Sequence, residues 1–485
     1  MNLSPLMSTR LVRHLSVSVA HAILGGIALA VVLPSEALAA DIDGAKLGLA
    51  WGLPFVGILL SIALFPLFAP HFWEHHHGEI ALFWAALVTI PMALLLGLAP
   101  TAKALAHTAL LEYIPFILLL LALFTVASGI VVSGNLHGSP ITNTVLLGIG
   151  TILASLIGTT GASMVMIRPV LRANDDRKHN VHVVVFFIFL VSNIGGSLTP
   201  LGDPPLFLGF LRGVDFFWTT QHLFSETLFV VVIILAGFLA LDTVIYKREG
   251  HKPSDPTPDQ PIRVAGGANM LLGVVIIMAI LLSAKVQLGT LSIWGTEVAV
   301  QNLIRDAAMV LVTLVSLLVT PKRSHVANAF AWSPILEVAA LFAGIFVTII
   351  PVLAMLRAGS SGAFAPLVAM VTNADGSANV AAYFWLTGAL SSFLDNAPTY
   401  LVFFELAGGR AEWLMREGAL TLAAISAGAV FMGANTYIGN APNFMVYAIA
   451  RQNGVQMPSF FGYMLWSGGV LLPIFVLTTL VFFRA

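Results

Sequence analysis

The sequence predicts an all-α polytopic membrane protein of two inverted five-span repeats, each with a re-entrant hairpin and a broken helix. Three observations predict it. Of 485 residues, 58% are hydrophobic and only 9% are charged, against roughly 25% charged in a soluble domain. Lipid must therefore be the solvent for most of the apolar surface. Second, apolar windows long enough to cross a bilayer follow one another along the chain. Third, one pattern occurs twice, inside two of those windows. Gly196-Ser197-Leu198-Thr199-Pro200-Leu201-Gly202-Asp203-Pro204-Pro205 and Gly433-Ala434-Asn435-Thr436-Tyr437-Ile438-Gly439-Asn440-Ala441-Pro442 both read G-x-x-T-x-[LI]-G-[DN]-x-P, 237 residues apart. Glycine and proline break a helix there and free backbone groups that cannot face lipid. Paired breaks in matching positions point to a transporter's binding site.

The elements follow in order. Arg10, Arg13 and His14 precede an apolar run over 17–33, and Ala37-Leu38-Ala39 resembles a cleavage site. Residues 1–40 are thus a signal peptide or an uncleaved first span, and either leaves Asp41 outside. The first repeat, 41–246, has spans at 47–67, 80–98 and 113–132. The run 144–171 is interrupted at Gly158-Thr159-Thr160-Gly161, 181–210 carries the first break motif, and 223–246 closes the half. A charged, Pro-rich cytoplasmic linker covers 247–267. The second repeat, 268–485, has spans at 270–284, 307–319 and 332–356. The run 380–406 is interrupted at Asp395-Asn396-Ala397-Pro398, 420–449 carries the second motif, and 460–483 ends the chain. Thr160-Gly161-Ala162-Ser163 lies 236 residues before Asn396-Ala397-Pro398-Thr399, so each interruption reads as a hairpin tip. Five crossings per half force the second half upside down. The basic clusters at 168–178, 247–263 and 322–323 then all fall on the inner side.

Hairpin tips and breaks offer helix N-termini to anions and carbonyl oxygens to cations. Hard cations prefer oxygen ligands. The expected cation or proton ligands are Asp203, Asp395, Asn193, Asn396, Asn435 and Asn440. Thr159, Thr160, Ser163, Thr199, Thr399 and Thr436 are the expected substrate contacts. The arrangement implies one cation site per half. The alternative is that these residues only cap broken helices and fill turns. Asp203 and Asp395 stand out, because a charged carboxylate at bilayer depth is costly and functional by default. Glu337 is a third candidate, and Arg168 reads as an inner-surface anchor.

Other chemistry finds little support. The chain has no cysteine, which excludes disulfides and thiolate chemistry, and its net charge of -1 gives no sign of a nucleic-acid partner. No Walker A motif, dinucleotide fingerprint or nucleophile elbow appears, so no cofactor is expected and an enzyme is disfavoured. The run His71-Phe72-Trp73-Glu74-His75-His76-His77-Gly78-Glu79 lacks H-E-x-x-H spacing and reads as a short solvated inner loop.

At these motifs the chain resembles the ion transporter superfamily, which includes NhaD-type sodium/proton antiporters, arsenite permeases, CitMHS-type citrate transporters and divalent-anion/sodium symporters. Ser192-Asn193-Ile194-Gly195-Gly196 through Pro205 is similar to the fifth-helix motif of the antiporter and arsenite branches. Leu394 to Thr399 resembles their second hairpin tip, and Leu341-Phe342-Ala343-Gly344-Ile345-Phe346 the segment before it. Two departures stand out: Thr159-Thr160-Gly161 replaces an Asp-Asn pair at the first tip, and Leu206 replaces an Asn after Gly-x-Pro-Pro. The resemblance implies a secondary transporter in a bacterial inner membrane, homodimeric, with sodium as coupling or transported ion. Sodium/proton antiport is the leading expectation, and sodium- or proton-coupled uptake of citrate or a related carboxylate is the alternative.

Overall fold

The computed structural model describes residues 42–134, 136–250, 261–328 and 330–484. The expected N-terminal signal or span lies outside them, as does most of the linker. Among the described residues, ten helices are long and apolar enough to cross a membrane. The protein is therefore an all-α polytopic membrane protein.

The chain enters through α1 (Leu53–Phe68), α2 (Pro70–Leu95) and α3 (Leu98–Thr108), which passes through one π-helical turn into α4 (Ile114–Ser128). Next come α5 (Pro140–Ile157), α6 (Thr159–Ala173), α7 (Val181–Leu190), α8 (Pro204–Leu211) and the long α9 (Trp218–Glu249). The second half holds α10 (Gly267–Lys285), α11 (Val300–Val319), the short α12 (Lys322–Ala327), α13 (Ser333–Arg357) and the short α14 (Ala365–Met370). It continues with α15 (Val380–Phe393), α16 (Asn396–Leu406), α17 (Ala411–Met415), α18 (Ala419–Met432), α19 (Ala441–Gln452) and α20 (Phe460–Phe482). Proline opens several of them, where its missing N–H costs nothing. Two short antiparallel ribbons pair β1 (Val131–Ser133) with β2 (Arg263–Ala265) and β3 (Thr290–Ile293) with β4 (Thr296–Ala299). They leave the class unchanged.

Burial sorts the helices. In the Val181–Leu198 window 89% of residues are buried, against 17% in the Pro70–Leu95 window. The broken segments thus form the centre, and α2 sits at the edge. Leu318 is 84% exposed and Leu465 80%; exposed leucines on such helices are stable only where lipid covers them.

One expectation about elements needs correction, and one stretch the spans left unassigned is helical. The His71–His77 run is not a loop: α2 starts at Pro70, ten residues before the expected span, and the run forms its first turns. Nδ1 of His75, His76 and His77 each lies beside the carbonyl four residues back, an intrahelical bond that lets polar residues extend an apolar helix. The segment between the second and third expected spans is also helical, because α3 runs on into α4 without a loop.

Helices α5 and α6 form an antiparallel hairpin with its tip at Gly158, whose φ of +81° suits glycine. The open ends meet where Asn143 and Asn174 exchange amide bonds of 2.9 and 2.8 Å. Asp242 of α9 closes this foot. Its carboxylate accepts from Asn143 at 3.0 Å and Arg177 at 2.6 Å, with His182 Nε2 at 2.8 Å. Helices α15 and α16 form a second hairpin, tipped at Leu394-Asp395. Its far end holds an ion cluster around the buried Glu405, which accepts from the exposed Arg357 and from Arg212, and Arg212 also reaches Glu112 at 2.9 Å.

Candidate functional site

The two motifs build the same break twice. After α7 and after α18 the chain makes a short 3-10 turn, extends, and restarts as a helix. Thr199 (φ −141°, ψ 157°) matches Thr436 (φ −135°, ψ 161°), and Asp203 (φ −142°, ψ 143°) matches Asn440 (φ −153°, ψ 141°). The repeated glycines have a steric cause. A Cβ on Gly202 would lie 2.1 Å from the Gly196 carbonyl oxygen, and one on Gly439 would lie 2.6 Å from that of Gly433.

Each break is tied to its own hairpin in the same way. The Thr199 hydroxyl donates to the Ser155 carbonyl, and that of Thr436 to the Ser392 carbonyl. Ser155 Oγ in turn donates to Gly195 O, and Ser392 Oγ to Met432 O. The following long helix also reaches the break: Thr219 and Thr220 donate to Leu198 O, and Ser467 to Asn435 O. These bonds satisfy carbonyls that the breaks would leave orphaned in a dry interior.

Where the motifs meet, four helix N-termini converge on Asp203. Asp203 is the N-cap residue of α8 and only 1% exposed. Its carboxylate accepts from Thr159 Oγ1, at the start of α6, at 2.9 Å. It accepts from Asn440 Nδ2, the N-cap of α19, at 3.1 Å, and from Asn396 Nδ2, the first residue of α16. Positive helix ends and three donors together offset part of the cost of burying a negative charge there. Asp203 and Asn440 hold the same place in the repeated motif, so the two halves touch at equivalent residues. Asn440 Nδ2 also approaches Ser192 O at 3.1 Å and Asn193 Oδ1 at 3.3 Å, while Asn193 Nδ2 donates to Asn443 Oδ1 at 2.7 Å. Beside Asp203, Asn396 Oδ1 is buried with no partner among the described residues. A bare amide oxygen next to a carboxylate is what a hard cation coordinates.

The structure thus gathers Asp203, Thr159, Asn193, Asn396 and Asn440 into one cluster drawn from both halves. Thr199 and Thr436 instead pin the breaks. Thr399 donates to Asp395 O at 2.9 Å, and Ser163 bonds Ser192 at 2.9 Å. Asn435 Nδ2 donates to Ser392 Oγ at 2.9 Å, and its buried Oδ1 is unpartnered among the described residues. Asp395 caps α16, accepting from Ala397 N at 3.0 Å.

A cavity of about 490 Å³ leads to this cluster. One wall is Thr159, Thr160, Asp203, Asp395 and Asn440; the other comes from α1, α2, α4 and α13. Glu74 and Glu337 line it, and Glu337 Oε1 accepts from Trp73 Nε1 at 2.8 Å. Four carboxylates face the cavity, and no lysine, arginine or histidine is among its lining residues. No cluster of three metal-ligating side chains occurs among the described residues.

Sequence reasoning missed Ser155 and Ser392, although they stand 237 residues apart like the motifs; extending that offset backwards would have found them. It also missed Glu74, hidden in the histidine run.

No curated protein matches the chain. The family model described as "Putative citrate transport" matches residues 44–483, which span both hairpins and both breaks. The chain belongs to this CitMHS-like family of secondary transporters, which move ions and small solutes across a membrane and are not enzymes.

Proposed function

We propose that the protein couples a cation to the uptake of citrate or a related carboxylate by alternating access in a bacterial inner membrane. The carrying observation is the cluster at Asp203, where a cation-competent carboxylate sits among four helix N-termini. A bare tricarboxylate entering a cavity walled by four carboxylates would be repelled. A sodium ion or proton held at Asp203 and Asn396 Oδ1 lowers that repulsion. The first N–H groups of α6, at Thr160 and Gly161, lack intrahelical partners and suit a cargo carboxylate. Coupling is then obligatory, because the anion binds only after the cation.

The recurring breaks support two inverted five-span repeats, with α5–α6 and α15–α16 as re-entrant hairpins. With the basic clusters inside, the cavity opens near Pro70 and Ser333 to the cytoplasm. The hairpin and break helices move against the α1, α2, α4 and α13 wall. A homodimer, each protomer with its own pathway, accords with the apolar faces of the outer helices.

One observation favours a second reading, sodium/proton antiport: the cavity lining has no basic side chain to meet a multivalent anion. Flux into proteoliposomes separates the two. Carboxylate symport requires labelled citrate to accumulate only with an inward sodium or proton gradient. Sodium-driven proton flux without citrate, and no citrate accumulation, would establish antiport instead.

A further inference from the structure

A second cavity, of about 1060 Å³, lies away from Asp203 at the end of the molecule that carries the 168–178 cluster. It shares no lining residue with the first. Arg168, Arg172, Arg177, Lys178, His179 and Arg248 line it, and Asp175 is the one carboxylate of that lining. Like charges gathered around one space repel and must be met by counter-charge. Part of it is met outside the lining: Arg177 binds Asp242 through Nη1 and Glu249 through Nε, and Arg172 Nη2 donates to Val132 O at 2.7 Å. Two donors are left over. Arg177 is only 7% exposed, and its Nη2 is buried with no partner among the described residues. Arg168 Nη1 is in the same condition. A buried guanidinium N–H without an acceptor is costly, and native structures rarely keep one without a ligand. The N-terminus of α7 adds a positive dipole, since Asn180 and Val181 also line the space.

We propose that this cavity binds a phosphate-type oxyanion, from a phospholipid headgroup or from soluble phosphate. Guanidinium groups match phosphate oxygens in charge and in fork geometry. Basic pockets between spanning helices on the cytoplasmic side suit anionic headgroups, and Trp466 at the rim is a residue type that sits at headgroup level. The bound oxyanion clasps the foot of the first hairpin to the turn between α19 and α20, where Asn453 and Gln456 complete the wall.

The test uses the full chain in phosphatidylcholine nanodiscs. One arm adds inorganic phosphate, and the other replaces part of the lipid with phosphatidylglycerol. The thermal midpoint rises in the phosphate arm if the ligand is soluble, and in the lipid arm alone if it is a headgroup. Losing one charged hydrogen bond, Arg168→Gln weakens the half-saturating concentration about tenfold or more. Lys178→Gln, at an exposed position that tolerates substitution, weakens it less. If Arg168→Gln fails to fold, Lys178→Gln and Arg248→Gln carry the comparison. No rise in either arm overturns the proposal, and so does an equal rise in folded variants and wild type.

Discussion

Replacing Asp203 with asparagine separates a coupling carboxylate from a mere helix cap. The Asp203 carboxylate accepts three side-chain bonds, from Thr159, Asn440 and Asn396. In Asp203→Asn one oxygen becomes an NH2 group, which must not face another donor. Asn396 provides the remedy, because its Oδ1 is unpartnered and an amide flip turns that oxygen towards the new NH2. The remaining oxygen still accepts from Thr159 and Asn440. Exchanging charged for neutral bonds loses about 1 kcal/mol each, while removing a buried charge returns part of it. The folded state therefore changes by about 2 kcal/mol or less. The cation site changes far more. Removing one member of a buried charge pair costs about 3–5 kcal/mol, which weakens cation binding about 100-fold or more. Cation-driven uptake should vanish in proteoliposomes, while the thermal midpoint of the purified protein stays near wild type. Asp203→Ala provides the contrast: it orphans Thr159 and Asn396, at about 1–3 kcal/mol per group, and lowers the midpoint visibly. Normal coupled flux in folded Asp203→Asn protein would refute the role assigned to this carboxylate.

Three further outcomes are expected. Asp395→Asn keeps the cap on α16, so stability moves by only a few tenths of a kcal/mol, but proton-coupled flux falls; unchanged flux at all pH values would reduce Asp395 to a cap. Gly202→Ala and Gly439→Ala each drive a methyl group into a backbone carbonyl and should destabilise by about 1–3 kcal/mol, to similar extents, in thermal unfolding. A large loss at one position only would contradict the equivalence of the two breaks. Glu405→Ala removes the buried carboxylate shared by Arg212 and the exposed Arg357, while Arg212 keeps Glu112, so a loss of about 1–3 kcal/mol should appear in denaturant unfolding.

Much of this architecture was legible in the sequence. Composition alone demands lipid as solvent, because no soluble core hides this apolar content. Local chemistry marks the breaks: Gly196 to Pro205 and Gly433 to Pro442 cannot continue a helix, and their common pattern follows from one steric demand met twice. The hairpin tips at Gly158 and Asp395 were legible for the same reason. The start of α2 was not. Hydropathy windows skip a polar run, whereas His75 to His77 bond back to their own helix and extend it.

Only the tertiary structure decided who meets whom. The sequence by itself determined that Asp203 and Asn440 are equivalent; it could not show that they touch. Two oxygen-rich sites, one per half, and one shared cluster at Asp203 are equally compatible with the motif, because spacing says nothing about how two halves dock. The same holds for Glu405 with Arg212 and for Arg177 with Asp242, which are joined across long separations by packing. The repeat was readable because helix breaking is a local property of a few φ and ψ angles. The site was not, because electrostatic partnership depends on distance in space, and the folded bundle alone sets that distance.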